Sequence, residues 1–157
     1  MRRTRFDRRD HHPGPSRFDW RNFAVGAVVS AILVGLLGDG TMIFFTAVTP
    51  REEGVNIGGA MLATFGSLLA VALGAAFTAR RARRGGSQPV PEGVGAGLAG
   101  FTIGIFSAGY LFFLARGAPV SALLEIPNML PLLLPGVGAA FAGAALGNRQ
   151  RSRRQPP

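Results

Sequence analysis

The sequence predicts an all-α polytopic membrane protein, a four-helix transmembrane bundle with both termini in the cytoplasm. Three observations predict this fold class. Four apolar segments are each long enough to cross the hydrocarbon core of a bilayer, which takes about 20 helical residues. Arginines gather beside these segments rather than within them. Glycine supplies 23 of the 157 residues without a collagen-like period, which is typical of closely packed membrane helices.

The four spans are predicted at about residues 23–48, 55–79, 93–115 and 123–146. The second span is the clearest, because it carries no charge and is followed by four arginines within five positions. The first span is longer than a bilayer requires. We therefore expect it to tilt or to break at Gly38-Asp39-Gly40, where two glycines weaken the helix around a charge.

The spans form one transmembrane domain, residues 23–147, between two basic tails. Residues 1–22 contain seven arginines and the run Pro13-Gly14-Pro15, which predicts a flexible tail. Residues 148–157 contain four more arginines and form the second tail.

The arginine distribution predicts the orientation. Seven arginines precede span one, four lie between spans two and three, and four follow span four, whereas only Arg51 and Arg116 lie elsewhere. Cytoplasmic loops of membrane proteins carry an excess of basic residues, so we expect both tails and residues 80–92 in the cytoplasm. Pro89 and Pro91 act as helix breakers in this interpretation, and residues 80–92 form a loop.

Small residues recur every four positions on three spans, where they allow helices to approach closely. These residues are Gly66, Ala70, Gly74 and Thr78 on span two, Gly100, Gly104 and Ala108 on span three, and Gly136, Ala140 and Ala144 on span four. We expect these stripes to pack within one bundle. The alternative is that one of them faces a second subunit.

The candidate ion or polar site consists of Asp39, Arg116, Glu125 and Asn128, which all lie towards the predicted outer face. A carboxylate within a span is costly and is a functional candidate by default. Asp39 lies in the outer third of span one, where it can instead be solvated or pair with an arginine. Convergence of Asp39, Arg116 and Glu125 is the most specific site hypothesis.

Span four carries prolines at 127, 131 and 135, four residues apart and hence on one side of a helix. Each proline removes a helical hydrogen bond, so we expect a kink. One interpretation is a hinge or polar lining, with Glu125 and Asn128 separated by three positions. The other is a segment that enters the membrane obliquely, with Glu125 among the headgroups.

Several kinds of chemistry are missing from the sequence. There is no cysteine, which excludes disulfides and thiolate metal sites. The two histidines, His11 and His12, lie outside every predicted span. No phosphate-binding loop, nucleophile elbow, zinc-protease or dinucleotide motif occurs. We therefore expect no enzymatic activity, no cofactor and no metal site.

The net charge of +9 would suggest nucleic-acid binding in a soluble protein. Here the arginines flank apolar spans, so topology and contact with anionic lipid headgroups explain them better. The expected partner is the lipid bilayer, and we do not expect nucleic acid.

The functional expectation is a non-enzymatic accessory, scaffold or self-associating subunit of a prokaryotic plasma membrane, in a homo-oligomer or a larger membrane complex. One alternative is a small transporter or channel that uses Asp39 and Glu125. Four spans in so short a chain resemble the small multidrug transporters, but Asp39 lies nearer the surface than that architecture requires. A third interpretation is a membrane-surface binder whose arginine tails contact anionic lipid or an acidic partner.

Overall fold

The computed structural model describes residues 17–48, 57–115 and 130–149, and these ranges contain helices and short connections but no strand. The elements are α1 (Trp20–Val34), a π-helical segment (Gly35–Asp39), α2 (Gly40–Val48), α3 (Ile57–Gly85), α4 (Pro89–Ala115) and α5 (Leu130–Arg149). The all-helical class predicted from the sequence is confirmed.

The first helix runs without interruption through α1, the π-helical segment and α2. It begins at Trp20, because the Asp19 carboxylate accepts hydrogen bonds from the backbone N–H groups of Arg21 and Asn22 at 3.0 and 3.2 Å. Such a cap satisfies donors that have no helical partner. The helix therefore starts earlier than the predicted boundary and includes Asn22, which the sequence analysis placed in the tail.

Of the two alternatives expected for the long first span, the break at Gly38-Asp39-Gly40 does not occur, and a tilt stays a prediction. The helix instead widens into a π-helical turn, in which the Gly40 N–H donates to the carbonyl of Gly35. A π turn shifts the hydrogen bond by one residue. The glycines thus loosen the helix, which continues directly into α2.

The predicted loop at residues 80–92 was wrong. α3 continues through all four arginines to Gly85, and α4 begins at Pro89. Both Pro89 and Pro91 lie in the first turn of α4, where a backbone N–H would have no helical partner in any case. Proline is therefore a helix-starting residue here, and only residues 86–88 connect the two helices.

α3 ends in a Schellman motif. The Ser87 N–H donates to the Ala82 carbonyl at 3.0 Å, and the Gly86 N–H donates to the Arg83 carbonyl at 3.4 Å. Gly86 has a φ of 74°, in the left-handed region that favours glycine. This geometry reverses the chain, so that α4 runs antiparallel to α3.

α3 and α4 form a central pair, with α1 and α5 on opposite sides of it. Both outer helices contact α3 and α4, and within the described ranges they make no contact with each other. The starts of α1 and α4 lie together, because the Asp19 N–H donates to Glu92. The ends of α3 and α5 lie together, because Arg83 donates to the Asn148 carbonyl. All four of these helix ends lie at the end of the bundle that holds the 86–88 turn.

The packing is the reverse of that in a soluble protein. The central core is built mostly of alanines, with Val34, Val71 and Phe101 as its larger members. Large apolar side chains face outward instead, as in Phe65 and Leu134, which are 65% and 78% exposed. A monomer in water rarely exposes so much apolar surface, whereas an apolar surface is suited to contact with lipid.

Three helical stretches are long and apolar enough to cross a membrane: Trp20–Phe45, Ile57–Gly85 and Pro89–Ser107. They correspond to the first three predicted spans, and their length and composition support the predicted membrane class. Residues 123–129 of the predicted fourth span lie outside the described residues, and α5 contains the remainder.

Candidate functional site

A fully buried carboxylate lies at one end of the bundle. Glu92, in the first turn of α4, has no exposed surface. Its Oε1 accepts hydrogen bonds from the backbone N–H groups of Asp19 and Gln88 at 2.8 and 3.2 Å. Its Oε2 accepts a bond from the side-chain amide of Asn22 at 2.7 Å. Both carboxylate oxygens are thus used within the protein.

Asn22 connects this carboxylate to a third helix. Its side chain is 3% exposed, and Nδ2 also donates to the Thr78 carbonyl of α3 at 3.3 Å. Its Oδ1 is buried and has no hydrogen-bond partner in the described part of the chain. Asp19, Asn22 and Glu92, called the polar cluster below, therefore join α1, α3 and α4.

The donors around Glu92 decide what the polar cluster can do. All three are N–H groups, which stabilise a negative carboxylate, whereas a hard cation requires oxygen ligands. The described residues contain no group of three or more His, Cys, Asp or Glu that could hold a metal ion. The geometry is that of a buried carboxylate held by N–H donors.

A second interhelical hydrogen bond lies deeper in the bundle. The hydroxyl of Ser30 on α1 donates to the Gly97 carbonyl of α4 at 3.3 Å, and Ser30 has no exposed surface. The hydroxyl of Thr78 is also buried but donates to Gly74, within its own helix, at 2.8 Å. The hydroxyls of Ser30 and Thr78 thus both donate to backbone carbonyls, one between helices and one within a helix.

The predicted packing residues of span two lie against the first helix. A Cβ added at Gly66 would come within 2.2 Å of the Leu37 carbonyl oxygen, and one at Gly74 within 2.6 Å of the Ser30 Cβ. Ala70, between them, has no exposed surface. These positions leave no room for a larger side chain.

The stripes of the other two spans also face inward. A Cβ at Gly100 would lie 2.4 Å from that of Ser30, and one at Gly104 would lie 2.7 Å from Val34. A Cβ at Gly136 would lie 3.3 Å from the ring of Phe101, and Ala140 is fully buried. The described members of the three stripes therefore lie at contacts within one chain, and α5 adds two glycines that the sequence analysis missed, Gly143 and Gly147.

Asp39 is the only predicted site residue of the outer face that the structure describes. It ends the π-helical segment and is half-buried, and its buried Oδ2 has no hydrogen-bond partner among the described residues. Arg116, Glu125 and Asn128 lie outside the described residues. Their convergence with Asp39 stays a prediction.

The arginines at the end of α3 divide into two groups. Arg83 is half-buried and donates to the Asn148 carbonyl of α5. Arg80, Arg81 and Arg84 are exposed and line an open cleft of about 240 Å³ together with Phe77. This set of four residues is called the arginine cleft below.

Comparison with known proteins finds no relative: neither protein-family models, nor curated proteins, nor solved structures give a match. The site must therefore be interpreted from its own geometry.

The polar cluster was missed from the sequence, although a signal for it exists. Proline at the first helical position, followed by an acidic residue in the first turn, is typical of a helix start. Pro89 and Glu92 form this pattern, and Asp19 followed by an apolar run forms the corresponding signal for α1.

Proposed function

We propose that this protein is a non-enzymatic integral membrane protein, an accessory, scaffold or self-associating subunit of a prokaryotic plasma membrane. The observation that supports this most is the use of its buried polar groups. Glu92, Asn22 and Ser30 are buried, and each of them bonds between helices. Such bonds fix the relative positions of helices in lipid, which is what a structural subunit needs.

We further propose four membrane spans with both termini in the cytoplasm. Two contacts support this arrangement: Asp19 with Glu92 at the starts of α1 and α4, and Arg83 with Asn148 at the ends of α3 and α5. They lie at the same end of the bundle as the 86–88 turn. An even number of crossings follows if every helix spans the bilayer, and the arginines at this end favour the cytoplasmic side.

Partners would contact the outward faces of the bundle. The stripes of small residues already pack against other helices of the same chain, for example at Gly66 and Gly100. The large apolar side chains of α3 and α5, such as Phe65 and Phe141, remain exposed. A second copy or another membrane subunit would therefore pack on these larger residues.

The proposal is tested by isolating the full chain from its native membrane in mild detergent and measuring the mass of the intact complex. We expect a defined homo-oligomer or a stoichiometric partner, and no solute flux when the chain alone is placed in liposomes. A monomer that conducts ions or carries a solute would contradict the proposal.

One observation favours a second function, a small transporter or channel. Asp39 ends a π-helical turn and has a buried oxygen without a partner in the described part, and π turns are frequent at functional sites. Glu125 would be the second carboxylate of this site.

The second function is tested by cation and proton flux into liposomes. Flux that is lost with Asp39→Asn but kept with Asp10→Asn, in the N-terminal tail, would support it. Flux no greater than that of empty liposomes would exclude it.

A further inference from the structure

The arginine cleft lies on the outward face of α3, at the end of the helix. Arg80, Arg81 and Arg84 are exposed, and Phe77, which lines the cleft with them, is 42% exposed. Side chains three and four positions apart are neighbours on a helix. The three guanidinium groups therefore share one region, and among the described residues no acidic side chain lines it.

Arg83 shows that this grouping does not follow from sequence proximity alone. It lies between Ala82 and Arg84 but is half-buried, and it donates to the Asn148 carbonyl. Unlike Arg83, the three arginines of the cleft are exposed within the described part of the chain, so their guanidinium groups can bind a group from outside.

An apolar strip leads from the cleft towards the middle of the helix. Leu69, Leu73 and Phe77 follow one another at intervals of four residues and are 55%, 47% and 42% exposed. They lie on one face of α3. Within a bilayer this face contacts acyl chains, and the cleft lies at the level of the headgroups.

We propose that the arginine cleft binds the phosphate of an anionic phospholipid, whose acyl chain lies along Leu69, Leu73 and Phe77. Guanidinium groups present planar pairs of N–H donors that match phosphate oxygens. The occupant is a lipid rather than a free phosphate, because the charged cleft continues directly into the apolar strip. This site requires that α3 crosses a bilayer, and it does not depend on the accessory role proposed above.

The experiment is native mass spectrometry of the full chain in detergent with added phosphatidylglycerol or phosphatidylcholine of identical acyl chains. We expect the chain to retain phosphatidylglycerol preferentially. Arg84→Gln should weaken this binding about fivefold, the effect expected of one basic residue at an anionic surface. Arg84→Lys should lose part of the affinity, because it keeps the charge but not the planar fork.

Arg83→Gln is the matched control, since it removes the same charge from the next residue but from the other face. It should leave the preference for phosphatidylglycerol close to that of the parent chain. Circular dichroism of each variant checks that the helices remain.

Two further arms identify the source of the phosphate. Phe77→Ala should weaken lipid binding, and millimolar inorganic phosphate should not displace the bound lipid. Equal retention of the two lipids, or equal losses in Arg83→Gln and Arg84→Gln, would overturn the site, and displacement by inorganic phosphate would overturn its assignment to lipid. A chain that shows no preference for phosphatidylglycerol but assembles with a partner would exclude the lipid site and still support the accessory role.

Discussion

Glu92 accepts a hydrogen bond from the side-chain amide of Asn22 at 2.7 Å, and both side chains are buried where the first turns of α4 and α1 meet. A carboxylate away from water is costly unless donors surround it. Here the Asn22 amide and two backbone N–H groups supply them. The cluster fixes the start of α1 against α4, and a second bond from Asn22 to Thr78 fixes it against α3.

Replacing Glu92 by alanine should destabilise the protein. The change removes the carboxylate that accepts from the buried Asn22 amide and from the part-buried backbone N–H groups of Asp19 and Gln88, and a buried donor that loses its acceptor costs about 1–3 kcal/mol. We expect the free energy of unfolding, measured by denaturant titration in mixed micelles, to fall by about 2 kcal/mol or more.

The control is Thr102→Ala on the same helix, because Thr102 is exposed and its hydroxyl donates to the Leu98 carbonyl of its own helix. It should change the unfolding free energy little. The double variant Asn22→Ala/Glu92→Ala should lose less than the sum of the single variants, with a coupling of about 0.5–3 kcal/mol. Strict additivity would show that the two residues do not act together.

The glycine contacts of α5 provide the second prediction. A Cβ at Gly143 would lie 2.1 Å from the Ala72 carbonyl oxygen, so the helices must move apart to accept it. Gly143→Ala should lower the unfolding free energy by about 1–3 kcal/mol, the usual cost of overpacking. The same titration in mixed micelles measures it.

Gly138 lies on the same helix and has nothing within 4 Å of an added Cβ. Gly138→Ala should therefore leave stability unchanged or raise it, since alanine favours the helix by about 1 kcal/mol over glycine. Equal effects of the two substitutions would mean that α5 does not pack on α3 as described.

The π-helical segment provides the third prediction. A π turn accommodates one extra residue in an α-helix while the helix on each side keeps its orientation. Deleting Leu36, which is 67% exposed within the segment, should restore a regular α-helix. The contacts of Ser30 with Gly74 and of Phe45 with Gly59 should survive, and the protein should keep most of its thermal stability in detergent.

Deleting Val28, which is 57% exposed in regular α1, is the control. This deletion should rotate the residues that precede Val28 by about 100° about the helix axis. Asn22 would then no longer face Glu92, and their hydrogen bond would be lost. We expect a large loss of thermal stability. A Leu36 deletion as damaging as the Val28 deletion would contradict the proposed role of the segment.

Sequence reasoning located the helices but not the polar contacts between them. The apolar runs and the arginines at their ends are properties of composition, so they can be seen without a structure. The polar cluster depends on which residues meet across three helices, and Glu92 was assigned to a loop because Pro89 and Pro91 were interpreted as breakers. Proline has that effect in the interior of a helix, but not in its first turn.

Contacts between helices, which the sequence does not show, also explain the outcome at Gly38-Asp39-Gly40. Gly38 and Gly40 flank the charge of Asp39, and a break was expected there because glycine weakens a helix. The structure places Gly38 against Ser67, so the glycine serves close packing between helices, and the extra residue is absorbed by a π turn. Sequence alone does not show whether a glycine makes a contact or a break.

The most direct test of the central claim, that the chain spans a membrane four times with its basic ends on one side, is thiol accessibility. The chain has no cysteine, so each introduced thiol is unique. In intact spheroplasts a membrane-impermeant maleimide should label Thr49→Cys, in the predicted outer loop. It should label Ser16→Cys, Ser87→Cys and Ser152→Cys only after the membrane is opened. Labelling of the Ser16→Cys and Ser152→Cys variants from opposite faces of the membrane would contradict the account.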